Sequence, residues 1–524
     1  MTGPPSPKNP GTPSTGAAAT VRKRLARSRQ PARRLWLWLP LALAAAVLLV
    51  WAGSWWRARA ASAEVRSLAV LPLVDLSPQR NDAWFSGGIT GEIIDALTRL
   101  PGLHVAAGTS AFRFQGNAHD IPQIGRQLGV AAVLEGNIRQ AGGRLLITTR
   151  MTRVSDGYRL WAQTFDVPAQ NVIPLEQQIA AAIAHRIQIP SALPGTHRHQ
   201  PPQQAYYAYL QGRYAIDRPE GDAVDKAVER FEEATAIDPE FALAWAWLSI
   251  ARENRVDAGT ARPNQAMPGS RDAAERAVAL DPGCGEAHLA LGIVKLQYDW
   301  DWAGAKQELD RALRSIPGSA LVRRWRAHWF ETQGAADEAI SEIGRALSLD
   351  PLSSAILGDA AQLYLSVNQP ERALPFAQRA AEICPGDGMA RAALAGALWL
   401  DGQREKSRQK VEELRQSAAG ARVSAYALAY LSAQQGDPSG ARQLLDEAED
   451  LPDDQPTPAT VFARLAAVAG DWDRFFSWIA EAYDERDVRL PYLLASPDLP
   501  PGLPKSDPRF AAVLDRMNLP APAK

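Results

Sequence analysis

The sequence predicts an α-helical solenoid, preceded by a small α/β domain on a mixed sheet and, before that, by one transmembrane helix. Three observations carry this. Pro317, Pro351 and Pro385 recur every 34 residues, as do Gly334, Asn368, Gly402, Gly436 and Gly470, and a fixed period of roughly 20–50 residues marks a repeat architecture. Upstream, short apolar runs alternate with helical periodicity. Nearer the N-terminus, residues 35–56 carry no charge.

A chain of 524 residues exceeds what one hydrophobic core serves, so several units are expected. The formal net charge of −1 argues against a nucleic-acid partner, which calls for a clustered basic surface. With only Cys284 and Cys384, neither a disulfide framework nor a multi-cysteine metal site can be built. Placed about three repeats apart, the two should be free thiols.

Residues 1–34 form the first segment. Met1 to Thr20 are Pro, Gly, Ser, Thr and Ala with almost no large apolar side chains, a composition that favours disorder. Leu35 to Trp56 follow, and at about 1.5 Å per residue this run spans a ~30 Å hydrocarbon core. Trp36, Trp38, Trp51, Trp55 and Trp56 crowd its ends, where indoles prefer the membrane interface. Seven basic residues from Arg22 to Arg34 precede it, against Arg57, Arg59 and Arg66 after it. That bias places the N-terminus in the cytoplasm and the rest of the chain outside it. Ala61-Ser62-Ala63 resembles a signal-peptide cleavage site, but the apolar run is too long for one, so an uncleaved anchor is expected.

Residues 66–189 read as the α/β domain. Ser67 to Leu73 is a strand, and Ile93, Ile94, Leu97 and Leu100 trace one face of a helix over Gly91 to Leu100. A strand at Leu103 to Ala107, a helix at Ile121 to Leu128 and strands at Ala131 to Gln140, Arg144 to Val154 and Tyr158 to Phe165 complete a mixed sheet with helices on one side. Glycines in Ala141-Gly142-Gly143 and Ser155-Asp156-Gly157 suit the turns between the last three strands. Gly87-Gly88-Ile89-Thr90-Gly91 follows a strand and suggests a phosphate cradle, but it lacks a P-loop ending, so a flexible turn and helix start are expected.

SLAVLPLVDLS (67–77), WFSGGITGEIIDALTRLPGLHV (84–105) and IGRQLGVAAVLEGNIRQAGGRLLITTRM (124–151), followed by GYRLWAQTFD, resemble the TolB amino-terminal-like (FlgO-like) domain. With the repeats that follow, the chain resembles the outer half of CadC-like and adenylate-cyclase-like multidomain signalling proteins of bacteria. The resemblance implies a non-catalytic domain on the periplasmic side of a bacterial inner membrane, linked through one span to a cytoplasmic output module. Here only Met1 to Arg34 precede the span, so neither transcriptional nor cyclase activity is expected.

Residues 190–204, with five prolines and glycines between Pro190 and Pro202, read as an extended linker. The array covers 205–484 in about seven repeats of tetratricopeptide (TPR) length, with an irregular insertion at 253–270. Gly334 and its successors each end a first helix, where the chain takes the left-handed conformation that glycine adopts freely and asparagine next best. Five residues later Ala339, Ala373, Ser407 and Ala441 let paired helices approach, with Phe475 as the irregular member. Ile237-Asp238-Pro239, Leu280-Asp281-Pro282 and Leu349-Asp350-Pro351 close second helices. Residues 485–524 read as a cap over the last repeat's apolar face.

No HExxH, G-x-S-x-G, Walker or kinase signature occurs, so no catalytic residue, metal or cofactor is expected. His197 and His199 lie in the linker without a neighbouring carboxylate or thiol. Recognition remains. The concave face of such an array binds extended peptides or helices, and the repeat register points Arg324, His328, Gln362 and Trp399 into it. Arg324 suits a carboxylate and Trp399 an apolar anchor. The sequence thus predicts a membrane-anchored, non-enzymatic scaffold or sensor for protein or peptide partners. The alternative is a protein relaying an outer signal to a separate cytoplasmic partner.

Overall fold

The computed structural model describes residues 65–77, 83–116, 120–168, 175–189, 199–218, 222–415, 436–450, 457–495 and 507–519. The expected tail (1–34) and transmembrane segment (35–56) lie outside them, as do His119, His197 and most of the expected linker. Among the described residues no helix is long and apolar enough to cross a membrane.

The chain opens with β1 (Ser67–Val70), β2 (Val74–Asp75), α1 (Ala83–Thr98), β3 (His104–Val105) and the single turn α2 (Gly108–Ala111). It continues with α3 (Ile121–Leu128), β4 (Ala132–Ala141), β5 (Arg144–Arg153), β6 (Arg159–Pro168) and α4 (Leu175–Arg186). The strands form one mixed sheet in the order β3-β1-β4-β5-β6, with β2 also pairing with β4. β1 runs parallel to β3 and β4, whereas β4, β5 and β6 form an antiparallel meander. Gly142 and Gly143 take φ of 59° and 73° in the first hairpin turn, as a tight right-twisted connection requires.

Helices cover both faces of the sheet, not one as expected. Leu68, Val70 and Leu134 share a core with Ile89, Ile93 and Leu97 of α1 and Ile179 and Ile183 of α4. Ala69, Leu71 and Val133, pointing the opposite way, pack with Ile121, Ile124 and Leu128 of α3. The reason lies in Ser67 to Leu73, whose unbroken apolar run is the signature of a strand buried on both sides.

The Gly87 to Gly91 segment is not a turn. It lies inside α1, so its backbone N–H groups belong to the helix ladder and form no phosphate cradle. A Cβ at Gly87 would come within 2.5 Å of the Tyr214 ring, and one at Gly88 within 2.9 Å of Leu210 Cβ. These glycines let α1 cross α5 (Gln203–Ile216) at close range.

From α5 onward the helices stack as hairpins. α5 pairs with α6 (Ala223–Ile237), α7 (Ala242–Asp257) with α8 (Pro263–Leu280), α9 (Gly285–Val294) with α10 (Trp302–Ser315), and α11 (Ala320–Thr332) with α12 (Ala336–Leu349). α13 (Ser354–Ser366) and α14 (Pro370–Ile383), then α15 (Gly388–Leu400) and α16 (Arg404–Arg415), continue the series, which resumes with α17 (Pro438–Glu449), α18 (Ala459–Val468) and α19 (Trp472–Asp484). Residues 253–270, expected as an irregular insertion, are the last turn of α7, a short connection and the first half of α8.

The repeat register appears directly in the backbone. Gly334, Asn368, Gly402, Gly436 and Gly470 have φ of 70°, 56°, 81°, 59° and 71°. Ala339, Ala373, Ser407 and Ala441, at the helix crossings, are fully buried, and so is the larger Phe475. One member of the series escaped the glycine pattern. Trp300, a full repeat length before Gly334, takes φ of 57° after a π-helical turn at Lys295–Asp299, and its buried indole lies beneath the Arg486 guanidinium at 4.3 Å.

The array is held at both edges. On one, the α/β domain docks onto the loops that follow the second helices: Gly318 N donates to Thr98 O at 3.1 Å and Ala107 N to Leu349 O at 2.9 Å. Arg99 pairs with Glu286 at 2.6 Å, and Asp350 accepts from the hydroxyls of Thr109 and Ser110. On the other, the C-terminal helices α20 (Leu490–Ala495) and α21 (Pro508–Arg516) do more than cap α19. Trp302 Nε1 donates to Met517 O at 2.7 Å, Arg262 pairs with Glu485 at 2.7 Å, and Arg489 donates to Asp257 O at 3.2 Å. Domain and array belong to one compact unit, and His199, at the end of the expected linker, bonds Asp238 at 2.6 Å. Cys284 and Cys384 are free thiols.

Candidate recognition groove

Arg324 and His328 stand one turn apart on α11, with Asp359 of α13 between them. Arg324 Nε donates to Asp359 Oδ2 at 2.6 Å, and His328 Nε2 meets the same oxygen at 3.1 Å. Asp257 lies 3.7 Å from Arg324, and Glu331 lies 3.4 Å from His328 Nδ1. The structure thus brings two of the four sequence-predicted residues together, on a carboxylate supplied by the chain itself. Over them lies Tyr492 of α20, its ring centroid 5.6 Å from that of His328, while Trp325 flanks the imidazole at 5.3 Å.

Burial and charge compete at this node. Burial opposes the imidazolium, but the Asp359 carboxylate outweighs it and raises His328 to about 9. Burial likewise opposes ionised Asp359, yet Arg324 and His328 hold it well below the usual carboxylate range. At Glu253 the balance goes the other way: burial first, then the neighbouring Asp257, outweigh Arg324, His328 and Arg489 and push it up to about 8. Its Oε1 is buried without a hydrogen-bond partner among the described residues. A charge-paired, largely desolvated cluster of this kind positions helices and holds charge, and it presents no nucleophile with an adjacent base.

Gln362 and Trp399 stand apart from the node. Gln362, on α13 in the register of His328, is half-buried. Trp399 is half-buried at the end of α15 with the Arg404 guanidinium 5.0 Å from its ring centre. Arg404 begins the partner helix of the same hairpin, and Leu365, a full repeat length before Trp399, is core. Trp399 therefore sits by its own hairpin turn, not in the register of His328 and Gln362. Among the described residues no group of His, Cys, Asp and Glu could hold a metal ion.

Sequence reasoning missed Asp359, Glu253, Asp257 and Tyr492. Asp359 left a signal: it is the one charged residue in SAILGDAAQLYLS, 35 residues after Arg324, and first helices of successive repeats are neighbours. Tyr492 left none, because its partner His328 belongs to a repeat far upstream in the sequence.

No family model matches the chain. It is 30% identical over 188 residues to "Putative adenylate cyclase 3" of Rhizobium meliloti (strain 1021), a match covering 35% of this chain. The chain spans about a third (32%) of that relative's length. Among solved structures it is similar to PilF of Pseudomonas aeruginosa (19% identity, 48% of this chain and 95% of that one, TM-score 0.30). It is also similar to TTC0263, a TPR protein of Thermus thermophilus (21% identity, 37% and 99%, TM-score 0.31), and to human IFIT1 as a dimer with m7Gppp-AAAA (15% identity, 59% and 77%, TM-score 0.42). The left-handed turns at a constant spacing and the buried small residues at each helix crossing make the helical part of this chain a TPR-type array.

Proposed function

We infer that this protein is a non-enzymatic scaffold, tethered to a bacterial inner membrane through residues 35–56, whose TPR-type array binds a protein or peptide partner outside the cytoplasm. One observation carries the location of binding. The C-terminal helices occupy the array at α7 to α11, whereas the same register one repeat later, at Gln362 on α13, is half-buried with no such cover among the described residues. A partner helix or extended segment added there continues the packing that Tyr492 makes on His328. The basic residues before 35–56 set the orientation.

Crosslinking from the intact membrane protein tests this, comparing the native chain with Gln362→Arg. Loss of a captured partner with unchanged thermal unfolding supports the reading. Capture undiminished by Gln362→Arg moves the site elsewhere, and capture lost only on removing residues 1–34 favours the signal-relay alternative. A C-terminal alkaline phosphatase fusion, active only outside the cytoplasm, tests the orientation separately.

A further inference from the structure

We propose that the cleft between the α/β domain and the repeat array binds an oxyanion, either phosphate or the carboxylate of a small organic acid, through Arg323 and Arg345. This inference is independent of the partner-binding reading. The cleft has a volume of about 320 Å³, and among its walls are Leu100, Leu103 and His104 from the α/β side and Pro317, Arg323 and Arg345 from the array. Among the described residues no carboxylate lines it.

The charge around it is unbalanced. Glu342, buried behind the wall, lies 3.0 Å from Arg323 Nη1, 2.9 Å from Arg345 Nη1 and 3.7 Å from Arg326 Nε. One carboxylate therefore serves three guanidinium groups. Asp310, the next acid, is already shared between Arg326 and Lys306. Each of Arg323 and Arg345 uses only Nη1 in its bonds to Glu342. Their Nε and Nη2 groups have no hydrogen-bond acceptor among the described residues, which leaves unused edges of two planar forks beside one cleft. Such edges match the paired oxygens of a phosphate or carboxylate.

Leu100, Leu103 and Leu349 are buried apolar side chains, and Arg323 is 19% exposed whereas Arg345 is 58% exposed. Arg323 therefore works beside a low-polarity floor, where charge-assisted bonds are stronger than in bulk water, and Arg345 stands at the open side. His104 Nε2 donates to Ser348 O at 2.6 Å, tying the α/β turn to the end of α12. An anion held by Arg345 of α12 at this junction links the two parts of the molecule.

Isothermal titration of the full chain in detergent, with sodium phosphate and sodium succinate against sodium chloride at equal ionic strength, tests the proposal. At least one oxyanion should bind where chloride does not, and Arg345→Gln should weaken it about tenfold, the scale of one charge-assisted pair. Arg379→Gln, an exposed arginine of α14 outside the cleft, should leave binding unchanged. If Arg345→Gln does not fold, Arg345→Lys keeps the charge but not the fork and should still bind measurably more weakly. Binding of phosphate alone, or of succinate alone, identifies the class of ligand. The proposal is overturned if neither oxyanion binds more than chloride, or if the Arg345 variants bind like the native chain.

Discussion

Ser110 of the α/β domain donates its hydroxyl to the Asp350 carboxylate of the repeat array, and the two are 240 residues apart. The same hydroxyl oxygen accepts from Leu352 N at 2.9 Å, and Thr109 donates to the other carboxylate oxygen. Asp350 precedes the proline that ends α12, so a residue marking a helix stop also fastens two parts of the chain. Asp350→Ala strands a buried hydroxyl and should cost about 1–3 kcal/mol, read as a lower urea midpoint with an unchanged slope.

The helical glycines of α1 should respond in opposite directions. Gly88→Val drives a side chain into Leu210 and should destabilise by about 1–3 kcal/mol through overpacking. A Cβ at Gly91 meets nothing closer than Asp217 Oδ2 at 3.6 Å. Gly91→Ala should therefore stabilise the protein by up to about 1 kcal/mol, the helix-propensity difference. Thermal unfolding of the two variants distinguishes a helix crossing from a flexible turn, in which neither substitution would have this effect.

Stability should fall with rising pH through Glu92. Burial raises its carboxyl from 4.5 to about 7 against the opposing Arg213 guanidinium, with Asp95 adding to the rise and Tyr209 donating to it at 2.8 Å. A folded-state value above the unfolded one means that the folded protein binds this proton more tightly. The contribution is therefore complete below about pH 4.5 and lost as pH rises through about 7. Asp217, raised to about 6 by burial and then by Asp95 against Arg213, acts in the same direction. Melting temperatures of the native chain and Glu92→Gln across this range should differ in slope, the native falling more steeply.

Trp300 tests whether the left-handed turn or the side chain matters more. Trp300→Gly removes a conformational cost of about 1–2 kcal/mol but also the contacts with Arg486 and Tyr483. Deleting a buried aromatic costs about 3–5 kcal/mol, so the variant should be less stable. A melting temperature at or above the native one would show that backbone strain dominates.

The contrast between Trp300 and Gly334 shows what the sequence could reveal. Periodicity and glycine placed every first-helix turn from Gly334 onward, because the left-handed conformation selects glycine or asparagine locally. It could not flag Trp300, whose indole packs under Arg486, near the other end of the array. Gly87 and Gly88 looked like a turn because their function is non-local: they make room for Leu210 and Tyr214. The strands and their hairpin glycines were readable from alternation and turn chemistry, whereas α3 on the second sheet face follows from tertiary packing. At the candidate groove, register put Arg324 and His328 one turn apart on one helix and Gln362 a repeat length after His328. It did not reveal that Asp359 bonds both Arg324 and His328, nor that Trp399 belongs to the register of buried Leu365.

The hydrogen bond from Trp302 to Met517 spans 215 residues and changes how the array behaves as a material. An open stack of repeats can be lengthened or shortened one unit at a time, since each unit answers only to its neighbours. Here the last helices close back on the third hairpin, and the loop has a circumference. Inserting or deleting a repeat between α11 and α19 would move Met517 away from Trp302, so repeat number is fixed by closure. For the same reason the helix that ends at Met517 must be made before the third hairpin can reach its final packing, and folding should be governed by long-range contacts instead of growing outward from any one repeat.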